Sequence, residues 1–290
     1  MATVAQWVSG TRPRTLPNSI APVLVGAGAA HHIDGFDATW SLLALLVSVA
    51  LQVGVNYAND YSDGIRGTDA HRVGPFRLVG SGAAKPGSVR AAAFAALGVA
   101  AVAGLVLVVL SGRYWMVAFG AVCIAAAWFY TGGRKPYGYS GLGELAVFVF
   151  FGPAAVLGTL YVQTGEISGI GIGGAIAMGS FSTGVMIANS LRDIPTDIQS
   201  GKRTLASTLG DRDSRRLYLA LVSIPFLITL AIGLRVPLAL IGFAALPLAI
   251  LGARRVLNGS KGRALIPVLR DTGLAMLVWG IAVPVALVLG

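Results

Sequence analysis

Two segments put carboxylates and amides at helical spacing: Asn56-Tyr-Ala-Asn59-Asp60-Tyr-Ser-Asp63 and Asn189-Ser-Leu-Arg192-Asp193-Ile-Pro-Thr-Asp197. At about 100° per residue, positions 56, 60 and 63 fall within an arc of roughly 60°, and positions 189, 193 and 197 within roughly 80°. Each segment therefore makes one oxygen-rich helix face. The chain has only 12 Asp and Glu in 290 residues, so spending four of them here is selective. Carboxylates crowded where the dielectric falls repel one another and resist desolvation, which is costly unless a cation neutralises them. Such a face suits a hard divalent ion such as Mg²⁺, which prefers oxygen ligands.

The segments that follow carry the opposite charge. Arg66, Asp69, Arg72 and Arg77 come after the first cluster, and Gly201, Lys202 and Arg203 after the second. Carboxylates that hold Mg²⁺, with Arg and Lys left for the remaining oxygens, are what a diphosphate group needs. The plainer reading, cations that anchor helix ends at a membrane surface, fits Arg254, Arg255, Lys261 and Arg263 better than Arg72, Arg77, Lys202 and Arg203. Asp69 either joins the metal site or caps a loop helix.

The elements that position these groups are apolar. Hydrophobic residues make up 55% of the chain and charged ones only 12%, far from the balance of a soluble domain. Nine uncharged stretches, 15–33, 38–59, 91–112, 114–133, 145–165, 167–191, 217–234, 236–253 and 272–290, each hold 18 to 25 residues. Each is about long enough to cross a bilayer core as a helix. The first is interrupted by Pro17, Asn18, Ser19 and Pro22, and nothing in it reads as a cleaved leader. The expected fold class is an all-α membrane protein with nine transmembrane helices around a central cavity, capped by cytoplasmic loops.

If the spans alternate, 20 of the 22 Lys and Arg fall on one side, leaving Arg113 and Arg235 on the other. The positive-inside rule then places the N terminus, the long loops and both acidic clusters in the cytoplasm of a cell membrane. The net charge of +10 thus reports topology and attraction to membrane lipids and anionic substrate. The basic loops are short and separated by spans, so no nucleic-acid partner is expected. Both clusters end an even-numbered span, which suggests a single domain over 1–290 built from two parallel four-helix repeats plus a ninth helix.

These motifs, with Tyr130-Thr-Gly-Gly-Arg134-Lys135 and Gly201-Lys-Arg-Thr-Leu, resemble those of the intramembrane aromatic prenyltransferases, the UbiA superfamily. Arg12-Pro-Arg14-Thr-Leu-Pro17, the run 59–69 and Arg72-Val-Gly-Pro75 are similar to the branch that prenylates 1,4-dihydroxy-2-naphthoate in menaquinone synthesis. One departure is that many members carry Asp four residues beyond the first Asp, where this chain has Gly64 and places Asp63 one residue earlier. The resemblance implies Mg²⁺ held by Asn56, Asp60, Asp63, Asp193 and Asp197, with a polyprenyl diphosphate bound by Arg72, Arg77, Arg134, Lys135, Lys202 and Arg203. It implies ionisation to an allylic cation, attack by the naphthoate ring, and loss of CO₂ and diphosphate to give a demethylmenaquinol, which oxidation converts to the demethylmenaquinone. Asn189 and Arg192 belong with the substrate-binding set, and catalysis is expected of the four motif carboxylates, Lys135 and Glu144.

The remaining candidates have weaker signatures. Arg12 and Arg14 precede the first span and could pair with the naphthoate carboxylate or simply anchor lipid. Tyr130, Tyr137 and Tyr139 could orient ring hydroxyls or face the allylic cation, although tyrosines also belong at membrane interfaces. Glu144 opens an apolar span and could accept the ring-hydroxyl proton. Zinc-ligand spacing is missing, and the lone Cys123 cannot form an intrachain disulfide. The rival functions are the same chemistry on another acceptor, such as 4-hydroxybenzoate, and a secondary transporter. Transport fits poorly, since it calls for a site near the midplane rather than at one interface.

Overall fold

A computed structural model describes residues 2–67, 76–199 and 201–290. The described residues form helices α1 (Val4–Gly10), α2 (Pro17–His31), α3 (Ala38–Arg66), α4 (Pro86–Ser111) and α5 (Met116–Phe129). They continue with α6 (Gly143–Thr164), α7 (Gly169–Gln199), α8 (Leu205–Gly233), α9 (Pro237–Leu257) and α10 (Gly262–Leu289). Seven of these, α3, α4 and α6 to α10, are long and apolar enough to cross a membrane. The expected spans 15–33 and 114–133 become shorter helices, α2 with 15 residues and α5 with 14. Pro17 sets the start of α2, where its missing N–H costs nothing. Pro22 lies inside α2 without ending it.

Large apolar side chains such as Val102 and Val109 on α4 and Val122 on α5 face outward, as lipid-exposed positions do. The interior is built on α7 and α10, where Met178, Phe181, Ile187, Met276 and Trp279 are buried together. The Trp279 indole there donates to Thr229 Oγ1 at 2.7 Å. Membrane helices gain from close backbone approach, which small residues permit. A Cβ on Gly280 would lie 2.7 Å from Cβ of Ala21 on α2, and one on Gly174 would lie 2.4 Å from Val25. Extensive contacts join α3 with α4 and α7 with α8. Both pairs start with the helix that carries an acidic cluster near its C-terminus.

The clearance at Gly280 gives a direct test of this packing. Gly280→Ala is expected to lower thermal stability in detergent, by about 1–3 kcal/mol for an overpacked contact. Gly98→Ala on α4, where an added Cβ meets nothing within 4 Å, is expected to be neutral or stabilising by up to about 1 kcal/mol. Equal melting shifts for the two variants would contradict the packing.

Candidate functional site

The acidic clusters occupy the last turns of α3 and α7. A helix C-terminus already carries partial negative charge, so carboxylates there need nearby cations. The structure supplies them. Asp63 accepts from Arg77 Nη2 at 3.2 Å and from the Tyr139 phenol, and all three are at least half buried. Asp193 is held by Arg192 in a two-pronged pair at 2.7 and 2.6 Å, and Asp197 faces Lys202 Nζ at 3.7 Å. Tyr139 joins the two clusters, because the Lys202 ammonium lies 5.3 Å from its ring centre while its hydroxyl meets Asp63. Arg66 lies 5.6 Å from the same ring and donates to the carbonyls of Thr131 and Gly133.

Two loops are stitched together beneath this network. Arg203 N donates to Tyr139 O and Gly141 N to Arg203 O, both at 3.1 Å, so residues 139–141 and 203 pair as a short parallel bridge. The carboxylate of Glu144, 1% exposed, accepts through Oε1 from Leu205 N at 3.1 Å and Ser190 Oγ at 3.2 Å. Glu144 thereby ties the start of α8 to α7 three residues before Asp193. This contact places Glu144 in the frame that holds the Lys202 loop.

Asn56 and Asp60 are also committed to backbone. Asp60 accepts from Leu78 N at 2.7 Å and Val79 N at 3.0 Å, one amide on each oxygen, and so fixes the segment after the first basic loop. Asn56 donates from Nδ2 to Thr11 O at 2.8 Å and Thr15 Oγ1 at 3.1 Å, clamping the turn between α1 and α2. A second pair with the same spacing of four is Asn59 and Asp63. Thr131 Oγ1 donates to Asn59 Oδ1 at 2.6 Å, which leaves the Asn59 amide N–H groups toward the cavity that this residue lines.

The cavity, about 510 Å³, lies among α2 to α6. Gln52, Asn56, Asn59, Tyr130 and Tyr137 line its polar end, while Val23, Leu107, Phe119, Phe150 and Val162 line the rest. Residues Phe150–Leu157 of α6, with Pro153 among them, wind as a π-helix, whose wider turn presents Phe150, Phe151, Ala154 and Ala155 to this space. Tyr130 and Tyr137 pack edge to face with centroids 5.5 Å apart. Burial pushes the Tyr137 phenol up to about 12, so it stays a neutral donor, bonded to Ala126 O at 2.8 Å.

The other expected site residues differ in exposure. Arg134, Lys135 and Arg203 have exposed side chains, as does Arg14, while Asn189 is half buried on α7. Arg12 rather than Arg14 is close enough to Asp60 to interact with it electrostatically. The reason is local: Arg12 takes a left-handed conformation, φ 53°, that turns the chain before α2. Arg72 and Asp69 lie outside the described residues. Gln52 escaped the sequence reading although it sits one turn before Asn56 on the same face, and that periodicity was the available signal.

A bundle with several membrane-length helices, an oxygen-rich and cation-rich end and an apolar channel beside it defines a multi-pass membrane protein built to handle an anionic head and an apolar tail. The chain belongs to the UbiA prenyltransferase family, whose profile matches residues 19–285. It is similar to the 1,4-dihydroxy-2-naphthoate octaprenyltransferase of Mycobacterium tuberculosis, with 58% identity over 292 residues covering 100% of this chain and 99% of that one. The protein of the same description from Escherichia coli is 36% identical over 222 residues, 74% of this chain and 72% of that one. Among solved structures, a UbiA homolog from Aeropyrum pernix matches with a TM-score of 0.70 at 18% identity, covering 94% of each chain. A UbiA homolog from Archaeoglobus fulgidus bound to GPP and Mg²⁺ matches with a TM-score of 0.70 at 14% identity, covering 98% of this chain and 100% of that one. At such identities the structural likeness bears on the fold.

The backbone role of Asp60 can be tested apart from turnover. Asp60→Asn turns an amide N–H₂ against one of two backbone donors, so hydrogen exchange at Leu78 and Val79 is expected to accelerate about tenfold, the cost of one such bond. Unchanged protection at both amides would show that Asp60 does not hold this segment.

Proposed function

We propose that this protein transfers a polyprenyl group from an allylic prenyl diphosphate to 1,4-dihydroxy-2-naphthoate, releasing diphosphate and CO₂ and giving a demethylmenaquinol. The observation that carries the reading is the set of carboxylates and cations joined through Tyr139, with Asp63 one helical turn from Asn59, which lines the apolar cavity. Identity of 58% along the full length of the mycobacterial relative supports the acceptor. The bundle is a single nine-span domain of two parallel repeats plus a ninth helix, with α2 and α5 as its short spans. Its N terminus and site loops are cytoplasmic, a reading supported by the basic residues gathered on that face.

Asn56, Asp63, Asp193 and Asp197 are the residues we assign to hold Mg²⁺; the Asn56 amide nitrogen is bonded to Thr11 and Thr15, which sets its carbonyl as the ligating atom, whereas both Asp60 oxygens meet the amides of Leu78 and Val79 and the Asn59 carbonyl meets Thr131. Among the described residues no three His, Cys, Asp or Glu side chains cluster tightly enough to hold an ion alone. An open set of carboxylate pairs suits Mg²⁺, which keeps waters and shares its coordination with substrate phosphates. When bound, the ion supplies charge neutralisation on the diphosphate leaving group.

The chain's own residues then exchange partners. Arg77, Arg192 and Lys202, which neutralise Asp63, Asp193 and Asp197 in the structure, would bind diphosphate oxygens where those carboxylates held the ion. Charge on the departing group is thereby met by fixed donors. The allylic C–O bond breaks, the ring carbon that carries the carboxylate attacks the cation, and CO₂ leaves as the ring regains aromaticity. The apolar lining keeps water from the cation. The tail lies along the channel; Leu105 and Val117 both line it and face outward, which supports an opening to lipid.

Purified protein with polyprenyl diphosphate and Mg²⁺ should prenylate dihydroxynaphthoate and not 4-hydroxybenzoate; product from the second acceptor alone would sink the assignment. Asp63→Asn and Asp193→Asn should each lower kcat by at least about a hundredfold in folded protein, the scale of losing charge stabilisation at a leaving group. Full activity in either variant, or in EDTA, would remove the metal role. Gly120 lines the channel with open space at its Cβ position. Gly120→Leu should raise KM for long-chain donors more than for geranyl diphosphate, and a uniform effect on both would place the tail elsewhere.

A further inference from the structure

Among the described residues that line the cavity, Gln52 alone has a fully buried side-chain polar atom without a hydrogen-bond partner, its carbonyl oxygen Oε1. The residue is 7% exposed, on the turn of α3 before Asn56. A buried amide carbonyl left unbonded is destabilising, and such groups persist where a ligand completes them. The orientation of the amide is set by its neighbours. Thr15 gives its hydroxyl proton to Arg12 O at 2.9 Å, so its oxygen can only accept from the two amides beside it, Gln52 Nε2 at 3.2 Å and Asn56 Nδ2 at 3.1 Å. With its N–H₂ group committed to Thr15, Gln52 offers a carbonyl and no freely oriented donor. Asn56 is oriented in the same sense by Thr15, whereas Asn59 is set the opposite way, because Thr131 donates to its carbonyl.

We propose that Gln52 is a specificity-determining residue for the aromatic acceptor, with Oε1 accepting a hydrogen bond from the ring hydroxyl remote from the carboxylate. This rests on the prenyl-transfer reading above. The prenyl chain has no hydrogen-bond donor and cannot satisfy this oxygen. The hydroxyl next to the carboxylate is already bonded to it within the acceptor, which leaves the 4-hydroxyl as the free donor. A site built to bond a substrate hydroxyl discriminates strongly against an analogue that lacks it, because the protein group is then left unpaired. Gln52 thus favours a 1,4-dihydroxy ring over an otherwise matching ring with the 1-hydroxyl alone.

The test compares 1,4-dihydroxy-2-naphthoate with 1-hydroxy-2-naphthoate in wild type and Gln52→Met, which keeps the size of the side chain and removes its acceptor. Turnover of the dihydroxy acid by wild type is measured first; its failure would strike the prenyl-transfer reading, whereas ligand binding is measured without turnover. Wild type should bind the dihydroxy acid about tenfold tighter than the monohydroxy acid, the scale of one hydrogen bond. Gln52→Met should bind both alike, with KM for the prenyl diphosphate unchanged. Equal weakening of both ligands, no change in either, or a parallel rise in the donor KM would overturn the assignment. If the variant does not fold, wild type alone still decides, because equal affinity for the two acids rules out a bonded 4-hydroxyl.

Discussion

Carboxylates at the C-termini of α3 and α7 face two penalties, the helix dipole and the falling dielectric. Every feature around them answers that cost. Arg77, Arg192 and Lys202 pair with the carboxylates, and Tyr139 lies between the clusters with its hydroxyl on one and its ring beneath the cation of the other. Breaking a buried pair by removing one partner is costly, since it strands the other charge. Under the proposed function, a metal and a diphosphate arriving together would cause no such stranding, because each carboxylate and each cation would gain a new partner.

The positions of the loops follow from the same requirement. Cations reach the carboxylates only if their segments are held, and the structure spends buried polar groups on holding them. Asp60 fixes the segment that carries Arg77, Glu144 fixes the start of α8 after Lys202, and Asn56 fixes the turn that carries Arg12. One oxygen of Glu144 and the amide nitrogen of Asn56 thus hold the segments beside these charges. The channel next to the site is apolar over most of its length, which separates the chemistry of the head from the accommodation of the tail.

Much of this was legible in the residues, and the exceptions have physical causes. Composition and uncharged run lengths marked the helices, and helical spacing marked the acidic faces. The run 56–63 contains two Asn-x₃-Asp frames, 56 with 60 and 59 with 63, and periodicity alone favours neither. What the sequence cannot show is nonlocal: Leu78 and Val79 meet both oxygens of Asp60, Thr11 and Thr15 the amide nitrogen of Asn56, and Thr131 the carbonyl of Asn59. Likewise Arg12 and Arg14 are equivalent as charges, and only a left-handed turn at Arg12 distinguishes them. Arg134 and Lys135 sit in a motif that resembles the family's, yet their side chains stay at the surface.

The central claim is that paired charges at rest become a metal and diphosphate site by exchanging partners. Linkage makes this measurable, since each ligand must then tighten the other by the same factor. Calorimetric titration of Mg²⁺ into the purified protein, with and without a non-hydrolysable prenyl diphosphate analogue, is the most direct test. The account predicts weak binding of Mg²⁺ alone and at least about tenfold tighter binding with the analogue present, within the usual range of such couplings. Tight Mg²⁺ binding that the analogue does not change would contradict it.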